Sequence, residues 1–371
     1  MPASGIFLAR PDEPGTGIRL AVKDLFDTAG LVTTYGSAIF RDHVPERTAS
    51  AVGLLEAAGY ANVGKTNLHE FAYGVTSQNP HFGTVPNPLA AGRLAGGSSG
   101  GNGAALAAGL ADAALGTDSG GSIRIPASWC GVVGLKPTYG LVPLDGCFPL
   151  APSFDHAGPM ARSVEECRAM LDVLARGVER AEVALGELAV GVAWTELAEP
   201  LVRARVEELA ASLPGARRID FPLPDWRDRL FMREVADVHR ELFAEHAALY
   251  GENVRIKVER CLAVTDEEAD ESRRERERYR ERCLEALDGV DLLLTPTTAF
   301  VAPRDDVDDL EIREATLRFT LPFNLLGWPA LALPCGLAED GLPASAQLVG
   351  RAGADGLVLA AGSHLEAATL K

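Results

Sequence analysis

Short apolar runs alternate with longer amphipathic segments along this chain. Runs of aliphatic and β-branched residues, bounded by glycine, proline or aspartate, predict strands. These predicted strands fall at 17–22, 61–65, 132–135, 291–296, 331–334 and 346–349. Segments with helical periodicity and suitable end signals predict helices at 48–59, 103–110, 163–174, 199–213, 226–250, 267–287 and from about 355. The alternation of strands and helices indicates an α/β fold built on a sheet.

Local signals say where some of these helices begin and how deeply they lie. Thr48 is a candidate N-cap of the first helix, and Ser163 with Glu166 forms a capping-box pattern. The helix at 103–110 is apolar on nearly every face, which predicts burial. Residues 110–115 either end that helix or begin a strand.

The pattern changes between about 195 and 288, where the predicted helices are rich in arginine and glutamate. The run at 272–278 mixes both charges and predicts a helix face exposed to solvent. The strand pattern resumes at 291–296. We therefore expect a helical segment at about 195–288 that is inserted between two parts of the sheet core.

Composition narrows the class of protein. The chain has 371 residues, of which 47% are hydrophobic, and a formal net charge of -17. This charge argues against nucleic acid and membranes as partners, because phosphate groups are bound by basic surfaces. No uninterrupted apolar run reaches about 18 residues, and the first residues lack the pattern of a signal peptide. These features predict a cytoplasmic protein.

The cysteines give no sign of a metal centre. The chain has six of them, and none forms a CxxC pair or a Cys/His spacing typical of zinc sites. We expect reduced thiols, no metal and no cofactor.

The stretch at 96–126 carries the candidate chemistry. Glycine pairs flank serines at both of its ends, and a small-residue helix lies between them. Glycine this dense allows backbone N–H groups to converge on a ligand. Ser98, Ser99, Ser119 and Ser122 would lie at the two ends of that buried helix. The arrangement is suited to a nucleophile beside a site that stabilises an anion.

We compare three kinds of chemistry that use such a loop. A phosphate cradle finds little support, because neither GxxxxGK[ST] nor a GxGxxG after a strand is present. An α/β-hydrolase would use Ser99 of the GxSxG match at 97–101, but the residues before it are loop-like and no acid and histidine follow at the usual places. The third possibility is a serine hydrolase in which a lysine serves as the base.

The sequence resembles a known family in several blocks. The segments at 21–24, 96–101 and 116–126 are similar, in this order, to the three signature blocks of the amidase signature family. Further similarity lies at 130–138, 294–297, 322–324 and 341–350. The resemblance covers about 17–175 and 290–368. It implies the amidase-signature fold, a large mixed twisted β-sheet with α-helices on both faces, and a single amidase domain over 1–371. In that domain the helical segment at about 195–288 would be variable and would cover the substrate.

The resemblance also implies a catalytic triad. Ser122 would be the nucleophile, Ser98 a relay serine that follows a cis peptide bond, and Lys23 the general base. A free lysine has a pKa of about 10.4, so a lysine base needs burial to be neutral at pH 7. The apolar neighbours Leu20, Val22 and Leu25 are consistent with such burial.

The residues around the triad receive supporting roles. The backbone N–H groups of Ser119, Gly120, Gly121 and Ser122 would form an oxyanion hole. Ser99, Asp118 and Arg124 would hold this loop, and an ion pair between Asp118 and Arg124 would also serve stability alone. Four apolar or aromatic residues are candidates for an acyl pocket, although core packing explains each of them as well: Ile125, Tyr139, Phe148 and Phe154.

Several functions remain open under this resemblance. The first is an amidase that hydrolyses a small-molecule amide to a carboxylate and ammonia or an amine through an acyl-enzyme. The alternatives are the catalytic subunit of a tRNA-dependent amidotransferase, which needs partner subunits, a hydrolase of biuret- or allophanate-like ureido compounds, and a non-catalytic binding protein. The length of the chain and its charge argue against the amidotransferase. A homodimer is compatible with the resemblance.

Overall fold

The computed structural model describes residues 5–224 and 228–369, and its largest feature is an 11-stranded sheet. The strands of the described residues are β1 (Phe7–Ala9), β2 (Ile18–Lys23), β3 (Tyr60–Thr66), β4 (Gln78–Asn79), β5 (Gly83–Thr84), β6 (Ala113–Thr117), β7 (Val133–Lys136), β8 (Ala157–Ala161), β9 (Val190–Val192), β10 (Ala216–Arg218), β11 (Leu292–Pro296), β12 (Ala330–Leu337) and β13 (Pro343–Val349). The sheet has the order β1-β3-β2-β6-β8-β7-β12-β13-β11-β9-β10, and β4 and β5 form a separate ribbon.

Eleven α-helices lie within the same described residues. They are α1 (Ser50–Ala57), α2 (Gly100–Ala107), α3 (Arg124–Cys130), α4 (Val164–Leu174), α5 (Pro200–Ala211), α6 (Arg229–His246), α7 (Glu252–Leu262), α8 (Asp266–Ala286), α9 (Asp309–Leu317), α10 (Leu321–Leu326) and α11 (Asp355–Thr369). None of the helices in the part of the chain that the structure describes is long and apolar enough to cross a membrane.

The sheet is mixed, as predicted. Strands β3, β2 and β6 run parallel, and so do β11, β9 and β10, whereas antiparallel pairs join β6, β8, β7, β12, β13 and β11. The strands of the first part of the chain meet those of the last part where β7 pairs with β12. The two parts of the predicted core therefore share one continuous sheet.

Helices cover both faces of this sheet. Successive side chains of a strand point to opposite sides, and neighbouring residues of β12 pack against different helices. Leu331 of β12 belongs to the buried cluster that includes Val358 and Leu365 of α11. Its neighbour Ala332 belongs to a second buried cluster with Ala127 of α3. The predicted α/β architecture is confirmed.

The strands and helices predicted from the pattern are present, with shifts at their ends. The first helix begins at Ser50 with Ala49 as its N-cap, and the predicted cap Thr48 instead accepts a hydrogen bond from the N–H of Ala29. Ser163 caps α4 as predicted, by accepting from the N–H of Glu166. The segment at 110–115 contains the start of β6. The predicted helix at 226–250 corresponds to α6, and its residues 226 and 227 lie outside the described part.

Other elements escaped prediction because their sequences carry weak periodic signals. Strand β8 contains Gly158 and Pro159, and β1, β9 and β10 are three residues long. Helix α7 lies between the predicted helices at 226–250 and 267–287, where the pattern predicted no helix. The helices α6, α7 and α8 pack on one another and bury residues such as Val235, Val258 and Tyr279. They place the N-terminus of α6 beside the serine loops.

The predicted exposed face at 272–278 is wrong at two positions. Ser272 is only 4% exposed, and the Arg276 guanidinium donates to Leu325 O, Ser153 Oγ and Ser153 O. Arg276 also lies over the ring of Phe154, 4.5 Å from its centroid. The charge pattern alone could not reveal this, because the partners are distant in sequence.

Candidate active site

Two parallel strands bring a buried lysine to the serine loops. Strand β2 ends at Lys23 beside the end of β6, with Val22 opposite Leu115. Lys23 is fully buried, and its Nζ donates to Ser98 Oγ (2.7 Å) and to Thr117 Oγ1 (2.7 Å). The structure therefore brings Lys23 and Ser98 together. Thr117 was not singled out from the sequence, although it lies inside the signature-like block at 116–126.

Burial changes the protonation of this lysine. It lowers the pKa of Lys23 to about 7, while the charges of Asp118 and Asp155 act in the opposite direction. The desolvation of an ammonium disfavours its charged form, and none of the described carboxylates lies within ion-pair distance to offset this. A substantial share of the molecules would carry a neutral Lys23 amine near neutral pH.

The two serine turns are tied to each other through their backbones. The peptide bond between Gly97 and Ser98 is cis. The N–H of Ser99 donates to Ser122 O at 3.2 Å, and Ser99 Oγ donates to Thr117 O at 3.2 Å. Ser122 is 8% exposed, and its hydroxyl forms no hydrogen bond within the described residues. The Ser122 hydroxyl is thus free to meet a ligand.

The turn at 119–122 is held by side chains from outside the turn. Gly121 has φ of 141°, and a Cβ at this position would lie 2.3 Å from Thr320 Oγ1. Thr320 Oγ1 donates to Gly120 O at 2.6 Å, and Ser119 Oγ donates to Asp155 Oδ1 at 2.6 Å. Only glycine fits at 121, because the backbone there has a positive φ and lies too close to Thr320 to leave room for a Cβ.

A buried ion pair supports the same turn. Arg124 donates twice to Asp118, from Nε (3.0 Å) and Nη2 (2.9 Å), and both side chains are fully buried. Arg124 Nη2 also donates to Asn324 Oδ1, and Nη1 donates to Gln347 Oε1. Burial alone would raise the pKa of Asp118, but the charge and hydrogen bonds of Arg124 outweigh burial and lower it. Asp118 also accepts from the N–H of Ile123, next to Ser122.

Two adjoining cavities open at the serine turns. The larger, about 140 Å³, is lined mainly by apolar side chains together with Thr117 and Asp155. The smaller, about 50 Å³, is lined by Gly120 and Ser122. Ser119 and Leu150 border both. A ligand in either cavity would therefore contact the turn at 119–122.

Only one of the four candidates for the acyl pocket lines either of these cavities. Phe148 lies in the wall of the larger cavity. Ile125 is fully buried behind Gly121, and Phe154 is fully buried against the ring of Phe231, 5.3 Å between centroids. Tyr139 is 47% exposed and donates to Pro152 O. The structure does not place these three in either cavity wall, because two are core residues and one lies on the surface.

Asp155 is a site residue that the sequence reasoning missed. It lies in the wall of the larger cavity and accepts from Ser119 Oγ and from the N–H groups of Leu150 and Ala151. Burial raises the pKa of Asp155, although these hydrogen bonds and Lys23 oppose the rise. Its signal in the sequence was the polar pair Asp155 and His156 in an otherwise apolar loop. Among the described residues, no three histidine, cysteine or acidic side chains could hold a metal ion.

A sequence model described as Amidase matches residues 8–213 and 216–359. The chain therefore belongs to the amidase family, and its fold and site fit an enzyme that cleaves amide bonds. A solved structure described as an amidase has a TM-score of 0.88 and 39% sequence identity, covering 95% of this chain and 84% of that chain.

Two curated relatives carry names that refer to different substrates. The chain is 35% identical to a glutamyl-tRNA(Gln) amidotransferase subunit of Haloarcula marismortui, over 95% of this chain and 96% of the relative. It is also 35% identical to the AtzE subunit of 1-carboxybiuret hydrolase from a Pseudomonas species, over 95% of this chain and 84% of the relative.

These relatives correct two expectations drawn from composition. The chain is not too short for the amidotransferase subunit, because it aligns with 96% of the Haloarcula protein. The exclusion of nucleic acid by net charge conflicts with relatives whose name includes a tRNA. The net charge of one chain says nothing about the surface of a partner subunit.

Proposed function

We propose that this protein is an amidase that hydrolyses a small-molecule amide, with Ser122 as nucleophile, Ser98 as relay and Lys23 as base. The observation that carries the proposal is the 2.7 Å contact between the buried Lys23 Nζ and Ser98 Oγ. The next residue, Ser99, donates its N–H to Ser122 O. The lowered pKa of Lys23 supports its role, since only the neutral amine can accept a proton.

The proposed reaction has two halves. Ser122 Oγ attacks the amide carbonyl carbon while its proton moves to Ser98 and the proton of Ser98 moves to Lys23. The N–H groups of the turn at 119–122 stabilise the oxyanion. The Lys23 ammonium then returns a proton through Ser98 to the leaving nitrogen, the C–N bond breaks, and an acyl-enzyme remains. Water attacks the ester by the same route and releases the carboxylate.

Substitution of the nucleophile and of the base tests this proposal. Ser122→Ala should abolish ammonia release from a panel of primary amides, and Lys23→Met should lower kcat/KM by about 10²–10⁴-fold, the range for general-base catalysis. Ser99→Ala is the comparison variant, because Ser99 would be the nucleophile in the α/β-hydrolase interpretation and its hydroxyl donates only to Thr117 O.

Circular dichroism checks that each variant is folded. A folded Ser122→Ala protein with wild-type turnover would exclude Ser122 as the nucleophile. Loss of activity in Ser99→Ala with retention in Ser122→Ala would instead favour the GxSxG interpretation.

A second candidate is the catalytic subunit of a tRNA-dependent amidotransferase, and it is favoured by the Haloarcula relative. A third is a ureido-compound hydrolase, favoured by the relative named for 1-carboxybiuret. Both relatives are named as subunits, so partner proteins belong to either candidate. Ammonia release from glutamine, biuret and simple amides by the purified chain, and again with the products of neighbouring genes, separates the three.

A further inference from the structure

An acidic side chain from the helical segment reaches the cavity of Ser122. Asp228, just before α6, lines the smaller cavity together with Ser122 and Gly120. It is the only carboxylate among the described residues of that cavity wall, and Arg313 is the only cation. No ion pair joins Asp228 to Arg313 in the described part of the chain, and the Arg313 guanidinium instead lies over the ring of Tyr73.

The two oxygens of Asp228 have different surroundings. Oδ1 accepts from the N–H of Phe231 (2.9 Å), which caps α6, and from Ser272 Oγ (3.3 Å). Oδ2 is buried and has no hydrogen-bond partner among the described residues. Burial raises the pKa of Asp228 to about 6, opposed by Phe231 N–H, Arg276 and Ser272. The carboxylate would be mostly ionised at pH 7.

A helix cap does not explain this arrangement by itself. Capping uses one oxygen acceptor, and asparagine or serine would serve as well without a buried charge. An unpaired buried acceptor is destabilising, and a ligand that completes its hydrogen bonding explains why such a group is kept. The free oxygen lies on a residue that shares a cavity with the proposed nucleophile.

We propose that Asp228 is a specificity-determining residue whose Oδ2 accepts a hydrogen bond from a nitrogen donor of the substrate, separate from the amide that is cleaved. The preferred substrates are therefore amides that carry an ammonium group or a second N–H group. This inference rests on the proposed function of Ser122, and it assigns to the inserted helical segment the selection of the substrate.

Matched pairs of amides test the inference by ammonia release. Leucinamide and 4-methylpentanamide differ by an ammonium group, and biuret and acetylurea differ by an NH₂ in place of a methyl group. Wild-type kcat/KM should favour the nitrogen-bearing member of at least one pair, and the pair that responds identifies an ammonium or a neutral N–H donor. Asp228→Asn should reduce that ratio by roughly tenfold to a hundredfold, as expected for a charge-assisted hydrogen bond.

The variant and its control separate recognition from stability. Asn remains a good N-cap, so Asp228→Asn keeps α6 capped while its amide N–H₂ replaces the free acceptor. Asp308→Asn is the matched control, because Asp308 caps α9 in the same way and lies outside both cavities; its ratio should stay at the wild-type value.

Two results would overturn the inference. One is a wild-type enzyme that prefers neither nitrogen-bearing member, a result that needs no variant to fold. The other is a folded Asp228→Asn enzyme that slows both members of a pair equally. If the wild type hydrolyses no amide of the panel, the proposed function itself fails.

Discussion

At the scale of single residues, the buried lysines of this chain fall into two groups. Lys65 pairs with Asp24 (3.0 Å) and Lys257 pairs with Asp309 (2.6 Å), so each ammonium has a carboxylate partner. Lys23 and Lys136 are fully buried without such a partner among the described residues. Of these two, only Lys23 donates to serine and threonine hydroxyls beside the cavities. This arrangement is suited to proton transfer rather than to stabilising the fold.

The pH dependence of the reaction should report this lysine. Because burial lowers the pKa of Lys23 to about 7, the amine is protonated and inactive below pH 7 and neutral above it. We expect kcat/KM for a non-ionising amide to rise with pH through an apparent pKa near 7 and then to level off. Fixed-time assays of ammonia release between pH 5.5 and 9 provide this pH profile of kcat/KM.

Thr117→Val tests the assignment of that pKa. Thr117 Oγ1 accepts a hydrogen bond from Lys23, which stabilises the ammonium, and valine has a similar shape without the oxygen. The midpoint should fall by about half to one unit, the equivalent of about 1 kcal/mol. A midpoint that is the same in both proteins, with unchanged circular dichroism across the pH range, would mean that another group controls the profile.

At the scale of elements, one arginine of α8 bonds to segments next to the sheet core. Arg276 bonds to carbonyl oxygens before β8 and at the end of α10 and covers the ring of Phe154. Its neighbours on the helix, such as Arg274, pair with glutamates of the same helix in solvent. Two arginines two residues apart therefore have very different roles.

Urea unfolding of two alanine variants measures this difference. Arg276→Ala should lower the free energy of unfolding by about 2–3 kcal/mol, since it removes hydrogen bonds from a charged group and leaves buried carbonyls unpaired. Arg274→Ala, the control on the same helix, should change it by less than about 0.5 kcal/mol. Similar losses in the two variants would contradict the structural assignment.

The helix itself was predictable from the sequence, and the contact was not. Charged residues at helical spacing predicted α8, and the glycine-serine blocks predicted the turns that the structure brings to Lys23 and to the cavities. The partners of Arg276 lie 49 and 123 residues away, so no local pattern signals them. The same limit applies to Thr320 and Asp228, whose positions depend on how distant elements pack.

At the scale of the whole molecule, one polar network joins the two parts of the sheet core. Asp118 and Arg124 come from the first part, and Asn324 and Gln347 from the last. Asn324 Nδ2 also donates to Asp118 O and Oδ1. The turn that carries Ser122 is thus held by residues about 200 positions away, and its geometry depends on the complete sheet.

Removal of one partner of this network should strongly lower the stability of the folded protein. Arg124→Leu leaves the Asp118 charge buried and unpaired, and we expect a loss of about 3–5 kcal/mol in the free energy of unfolding. The double variant Asp118→Asn with Arg124→Leu should recover part of that loss, because the stranded charge is gone.

Arg19→Leu provides the comparison at the surface. Its pair with Asp112 is partly exposed, so the loss should stay below about 1 kcal/mol. Equal losses for Arg19→Leu and Arg124→Leu, or a double variant less stable than the sum of its parts, would exclude the stranded charge as the cause.

The order of the strands also bears on how the chain is made. Strand β7 ends at Lys136, and its sheet neighbour β12 begins only at Ala330, about 190 residues later. At ribosomal rates of about 5–20 residues per second, this edge stays unpaired for roughly 10–40 s after β7 has been synthesised. An unpaired strand edge can pair with other chains. During this period neighbouring polypeptides can therefore occupy β7 before the hairpin of β12 and β13 has been synthesised.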